Sequence, residues 1–329
     1  MLAQRLAVKW PVRYPCQARG KNMPRLRCLV IAAGLAVTAP VTPIAQSPTT
    51  FIGTTPCGDI VRAFVGGMPA GAACHAVRWE LALGTPDANR WRLTAAYGVP
   101  PAANPNAMID GPRVTKQGPL TRSTVQRLGA ASTVYRLTAD AGSSIAFAQV
   151  GDDLVNLARD DGSLVPGTTA YSYTLTRADR VEPPVVEIAR APEGSYTLSP
   201  KETGSQVLGI FGGRSPCAGL AGELKLTGAD GCVRVKWRVT LLKDPQTNQP
   251  TTYKVDNSLN RGRSWTGAWR VVRGAPGFPD ATVYHLDAEA SHGPILLLRA
   301  DDNLLLFLNQ RREPLPGTAD LSYTLSRSE

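Results

Sequence analysis

Two stretches of this 329-residue chain are variants of one sequence. Residues 51–57 read FIGTTPC and residues 211–217 read FGGRSPC, so both fit F-x-G-x-[T/S]-P-C. Downstream, Cys74 and Cys232 are each followed five positions later by a tryptophan, Trp79 and Trp237. VYRL at 134–137 answers VYHL at 283–286, and both copies close on PGT followed by SYTL, at 166–175 and 316–325. The offset between copies drifts from 160 to 158 to 149 to 150, which fits one ancestral unit with loop insertions. A unit of about 120 residues is too long for a solenoid repeat and suits a complete domain. The chain therefore reads as two paralogous domains in tandem, 51–177 and 209–329.

Within each copy the hydrophobic period is two. Val77, Trp79, Leu81 and Leu83 alternate with Arg78 and Glu80, and Val235, Trp237, Val239 and Leu241 alternate with Lys236, Arg238 and Thr240. That is the pattern of a half-buried strand. Turn formers at 151–153 and 300–303 separate β-prone runs and predict hairpins. No segment carries a sustained helical stripe. The expected fold is all-β: two small antiparallel barrels of six to eight strands, closed or nearly so. Residues 178–208 hold Pro183, Pro184, Pro192 and Pro200, match neither copy, and read as a connector with one strand at Val185–Ile188. Residues 46–50 read as a disordered lead.

The first 45 residues hold seven basic side chains and no acidic one, then an apolar run from Cys28 to Ala39 and small residues up to Ala45. This is the layout of a secretory signal peptide, with translation starting at Met23 and cleavage near Ala45. Without those seven, 29 basic residues remain of 36 against 26 acidic ones, and the net charge falls from +10 to +3. The basic balance thus belongs to the leader, and nucleic acid is excluded as a partner. No transmembrane anchor is expected, because the apolar run is too short to span a bilayer.

Four cysteines lie beyond the leader: Cys57, Cys74, Cys217 and Cys232. An even count at matched positions in an exported chain reads as disulfides. Of the three connectivities that four cysteines allow, duplication favours pairing within each copy. A loop of roughly 15 residues closed in this way contributes about 3 kcal/mol in the chain-entropy model.

The Pro-Cys entry, Asp59 after it, the GDDL hairpin at 151–154 and the closing Tyr-Thr-Leu strand resemble the N-terminal domain of the NlpE family, copper-resistance and envelope-stress lipoproteins of bacteria. The resemblance runs nearly end to end in each copy and implies a lipocalin-like barrel with a role in copper tolerance or envelope-stress sensing. Three departures stand out. Ile60 and Leu220 occupy the second position of the family's C-x-x-C pair, so only Cys57 and Cys217 carry over. Cys28 follows Arg25-Leu26-Arg27 and has no lipobox, so the expected location is the soluble periplasm. The family also commonly adds a different C-terminal barrel, whereas this chain repeats the first.

Cys57, Met68, Cys74 and His75 form the one donor set suited to a soft metal such as Cu(I). Ligation would need both thiols free, and no resident cofactor is expected if they are joined. Trp79 and Trp237 should point into the barrels. Trp265 and Trp269 belong to copy two alone and read either as ligand-lining residues or as a surface patch for an envelope partner. Enzymatic action is not expected. The histidines, His75, His285 and His292, fall in no nucleophile–base motif, and the paired acids 152–153, 160–161 and 301–302 sit where aspartate forms turns.

Overall fold

The computed structural model describes residues 48–66, 68, 73–85, 87–99, 111–140, 142–183, 206–226, 232–259, 263–289 and 292–328. The expected leader and the strand expected at 185–188 lie outside the described residues.

Each copy is a closed eight-stranded antiparallel barrel. The first comprises β1 (Thr49–Pro56), β2 (Ala76–Leu83), β3 (Arg90–Gly98), β4 (Arg113–Arg127), β5 (Ala130–Thr138), β6 (Ser144–Gly151), β7 (Leu154–Ala158) and β8 (Thr174–Arg177). The second comprises β9 (Gln206–Pro216), β10 (Arg234–Lys243), β11 (Pro250–Asn257), β12 (Trp265–Ala275), β13 (Phe278–Leu286), β14 (Ile295–Arg299), β15 (Leu304–Leu308) and β16 (Thr324–Arg327). Every strand pairs with the next, and the first closes on the last through Phe51↔Arg177 and Ile52↔Thr176, or Phe211↔Arg327 and Gly212↔Ser326. Closure leaves no free sheet edge. Both barrels begin earlier than the repeat suggested: β1 starts at Thr49, inside the segment expected to be a disordered lead, and β9 starts at Gln206.

Eight strands enclose a space that side chains alone can fill. In the first barrel Trp79, Trp91, Phe64 and Phe147 are all but fully buried. Phe64 lies parallel to Trp79 with centroids 6.4 Å apart and 5.4 Å from Trp91, while Phe147 meets Trp79 edge-on at 5.7 Å. Phe64 comes from a short helix, α1 (Asp59–Val65), which follows the Pro-Cys entry and turns Val61, Phe64 and Val65 into the core. Its counterpart α2 (Ala218–Glu223) buries Leu220 and is followed by buried Leu224 at the position matching Phe64. Neither helix was anticipated. Six or seven residues span less than two turns, too few for a helical period to register.

The two barrels pack on each other within one compact unit, Gln46–Glu329. A third apolar cluster forms between them. Ala146, Ala148, Val150 and Leu154 from β6 and β7 meet Leu296, Leu298, Leu304 and Leu306 from β14 and β15. This explains why LVNLA and LLLFL are buried at all five positions: one face lines a lumen and the other covers the neighbouring barrel. The polar contacts follow an approximate two-fold axis. Gly167 N donates to Ser326 Oγ at 2.9 Å, and Gly317 N donates to Thr176 Oγ1 at 3.0 Å. On the axis Ser172 meets Ser322 at 2.6 Å and Thr324 donates to Thr174 at 3.0 Å. Four residues separated by 150 positions from their partners thus form an isologous interface inside one chain. Not every contact is mirrored: Arg78 is ion-paired to Asp320, whereas the matching positions hold Lys236 and Ala170.

Candidate functional site

At the end of β1, Pro56 stops the strand and Cys57 bridges to Cys74, just before β2, with Cα atoms 5.8 Å apart. Cys217 bridges to Cys232 in the same way at 5.5 Å. In both, the amide of the first cysteine donates to the carbonyl of the residue after the second, His75 or Val233. The bridges thus join each Pro-Cys entry to the start of the tryptophan-bearing strand, as duplication favoured. They differ in burial: Cys217 and Cys232 are 1% and 3% exposed, while Cys57 and Cys74 are only partly covered.

The donor set Cys57, Met68, Cys74 and His75 is partly assembled. Met68 Sδ lies 3.9 Å from Cys57 Sγ. Both cysteine sulfurs are consumed by the disulfide, and the side chain of His75 is exposed. A soft metal would therefore need the bridge reduced before Cys57, Met68 and Cys74 offered two thiolates and a thioether.

Trp79 and Trp237 point inward as their alternation required. Their indole N–H groups donate to Thr55 Oγ1 and Ser215 Oγ, each at 2.8 Å. Trp265 and Trp269 do not form a surface patch, which corrects that alternative. Both are buried in the second lumen, because residues four apart on one strand share a face. Trp269 Nε1 donates to Leu242 O at 2.7 Å. Trp265 is different: its Nε1 has no hydrogen-bond partner among the described residues.

The register shows what Trp265 replaces. Lys116 faces Leu93 in the first barrel, and Trp265 faces Val255 in the second. Lys116 Nζ donates to Phe64 O at 2.6 Å and so caps the carbonyl end of α1. In the second barrel Trp265 instead packs against His292, with ring centroids 4.2 Å apart and the planes tilted by 32°. Likewise Trp91, whose N–H reaches the Pro119 and Thr138 carbonyls, gives way to Tyr253, and Ala95 gives way to Asn257. Gly267 admits the tyrosine ring, since a Cβ there would come within 2.9 Å of it. Tyr253 donates to Asp287 O at 2.8 Å and lies 3.3 Å from His292 Nε2. Burial, reinforced by the Glu289 and Asp287 charges, pushes its hydroxyl pKa well up, so it stays protonated.

The other histidines stand apart from this cluster. His285 sits between Arg270 and Asp287, and burial together with Arg270 lowers its pKa. The acid pairs occupy turns: Asp161 and Asp301 accept from the amides of Ser163 and Asn303 at 2.8 Å, and Asp153 pairs with Arg177. A carboxylate that carried no sequence signal, Glu182, accepts from Tyr323 at 2.7 Å beside the first turn of α2. Burial holds its pKa above the ordinary carboxylate value, although the Tyr323 hydrogen bond opposes the shift.

Of the sequence-derived candidates, the structure joins the cysteines, draws Met68 to the first bridge and buries all four tryptophans. Tyr253, Asn257 and His292 were missed as a group. They lie far apart in sequence, and only comparison with Trp91 and Ala95 in the other copy marks two of them as changed. No protein-family model, curated protein or solved structure matches the chain.

Proposed function

We propose that this is a non-enzymatic extracytoplasmic protein of copper tolerance or envelope-stress sensing, acting as an interaction or sensor module through its outer surface. The observation that supports this most is the filling of the first lumen by the chain's own side chains. Trp79, Trp91, Phe64 and Phe147 occupy the volume where a lipocalin-like carrier would hold an apolar ligand. Two disulfides and an apolar interface between the barrels suit a rigid double module in an oxidising compartment. The physiological role itself comes from the resemblance at the Pro-Cys entry.

A second reading, a copper carrier, is favoured by one feature: Met68 Sδ at 3.9 Å from Cys57 Sγ, beside a bridge that is partly open to solvent. Titration of the full chain with Cu(I) against a chromogenic chelator, with and without reductant, separates the two. The module predicts no binding tighter than the chelator's in either state. Stoichiometric binding that disappears in the Cys57→Ser/Cys74→Ser double variant would establish the carrier instead.

A further inference from the structure

The outer face of the second barrel across β9, β10 and β11 carries a strip of cations. On β10, Val235, Trp237, Val239 and Leu241 are buried in the lumen, so Arg234, Lys236 and Arg238 take the opposite face. Lys236 stands directly across from Arg214 on β9, and Arg238 from Asp256 on β11. Lys254, two residues before Asp256, shares that face. All five cations are partly exposed. Among the described residues, these three strands hold one carboxylate, Asp256, which accepts from Ser264 Oγ at 2.6 Å.

The strip thus sets five positive charges against one negative, +4 net. The matched positions of the first barrel are Thr54, Ala76, Arg78, Glu80, Arg92 and Thr94, which come to +1, and Arg78 is ion-paired to Asp320. The chain beyond residue 45 carries only +3 in all, so its remainder outside the strip is net −1. Like charges directly opposite one another disfavour a sheet, and Arg214 opposite Lys236 is such a pair, whereas its counterpart, Thr54 opposite Arg78, is not. The concentration of charge is therefore specific to the second copy and is not a requirement of the fold. Arg214, Arg234 and Lys236 each also have a partner within the chain, which leaves Arg238 and Lys254 as the cations to alter in a test.

A partner for this face must be recognised by charge spread over an area. Cations on alternate residues of a strand lie about 6.8 Å apart, and cross-strand neighbours about 5 Å apart, so they form a two-dimensional array and not a cleft around one anion. The outward positions of β9, β10 and β11 hold no aromatic side chain, the kind of anchor that protein partners bury. The net −1 outside the strip disfavours a polyanion that reaches round the molecule, as nucleic acid does, and the two disulfides belong to an oxidising compartment. A planar anionic surface meets all of these conditions.

We propose that the outer face of β9, β10 and β11 is a peripheral docking surface for an anionic phospholipid bilayer. The cations lie against the headgroup phosphates, and no side chain enters the acyl region. Attraction of this kind is reversible and falls off within a Debye length, about 8 Å at physiological ionic strength. The inference goes beyond the sensor and carrier readings and rests on neither, since vesicle binding is measured without copper.

Co-sedimentation of the full chain with phosphatidylcholine vesicles, with or without phosphatidylglycerol, tests the proposal. Binding is expected only where phosphatidylglycerol is present, and it should weaken as salt is raised. Each cation removed from the strip should lower the partition coefficient about fivefold, so Arg238→Gln/Lys254→Gln should lower it about 25-fold. Arg92→Gln, which removes the charge matching Lys254 from the first barrel, should leave it within about twofold. All of these proteins share the first 45 residues, so the seven basic side chains there cancel from the comparison. An unchanged melting temperature shows that the variants are folded. No binding to the phosphatidylglycerol vesicles, equal binding to pure phosphatidylcholine, an undiminished double variant, or a fivefold loss in Arg92→Gln overturns the proposal. So does tighter retention on duplex DNA than on the vesicles at the same salt, which would give the face to nucleic acid. Should the double variant not fold, Lys254→Gln alone decides through its own fivefold loss.

Discussion

Single side chains in this molecule respond to solvent conditions according to their burial. The Glu182 carboxyl is held above its ordinary pKa by burial, with the Tyr323 hydrogen bond opposing. The folded state therefore keeps this proton to higher pH than the unfolded chain does. Its contribution to stability is fully present below the unfolded value and is lost as pH rises through the folded one. Glu182→Gln removes this slope, so the melting temperature of the variant relative to the parent should climb as pH rises above the ordinary carboxylate range. A difference that does not change with pH would show that burial does not raise the Glu182 pKa in the folded state. The cysteines differ in the same manner. Because Cys57–Cys74 is partly exposed and Cys217–Cys232 is covered, graded reduction followed by alkylation and mass mapping should label Cys57 and Cys74 first. Simultaneous labelling of all four would mean that reduction follows global unfolding.

Among the elements, α1 and α2 do the same task with unequal means. Both follow a Pro-Cys entry and both close a barrel end, yet α1 places Phe64 against two tryptophans where the second copy has Leu224. Phe64→Ala should cost about 3–5 kcal/mol, the range for truncating a buried aromatic side chain, read as a lower urea midpoint at unchanged slope. Leu224→Ala should cost about 2–5 kcal/mol on the same scale. These helices also show how far sequence reading reached. The strand of Val77, Trp79, Leu81 and Leu83 and its copy were legible because alternation over eight residues repeats four times. The helix Asp59–Val65 was not, because Val61, Phe64 and Val65 make only one turn of an apolar stripe. Trp265 and Trp269 were ambiguous for a different reason: a spacing of four puts both on one face of a strand but does not say whether that face turns inward or outward.

For the molecule as a whole, the interface between barrels decides whether it behaves as one body or two. Its centre is apolar and its polar contacts repeat about an axis, so the halves should unfold together in a single calorimetric transition. Leu306→Glu places a carboxylate in the apolar cluster that holds Leu298, Leu304 and Val150. It should separate the melting of the two barrels into two transitions and expand the particle in small-angle scattering. One unchanged transition would mean that the cluster does not couple the halves.

By itself, the sequence determined the duplication, the all-β character, the inward tryptophans Trp79 and Trp237, and the cysteine pairing. Each of these follows from local spacing or from comparing one copy with the other. Tertiary structure alone decided that LVNLA and LLLFL are buried on both faces, that Glu182 meets Tyr323, and that His292 lies between Trp265 and Tyr253. Such relations join residues from separate strands and loops, and their energy depends on which polar atoms meet once the barrels have closed and packed. Periodicity along the chain reports which face a residue takes. It carries no information about what stands opposite.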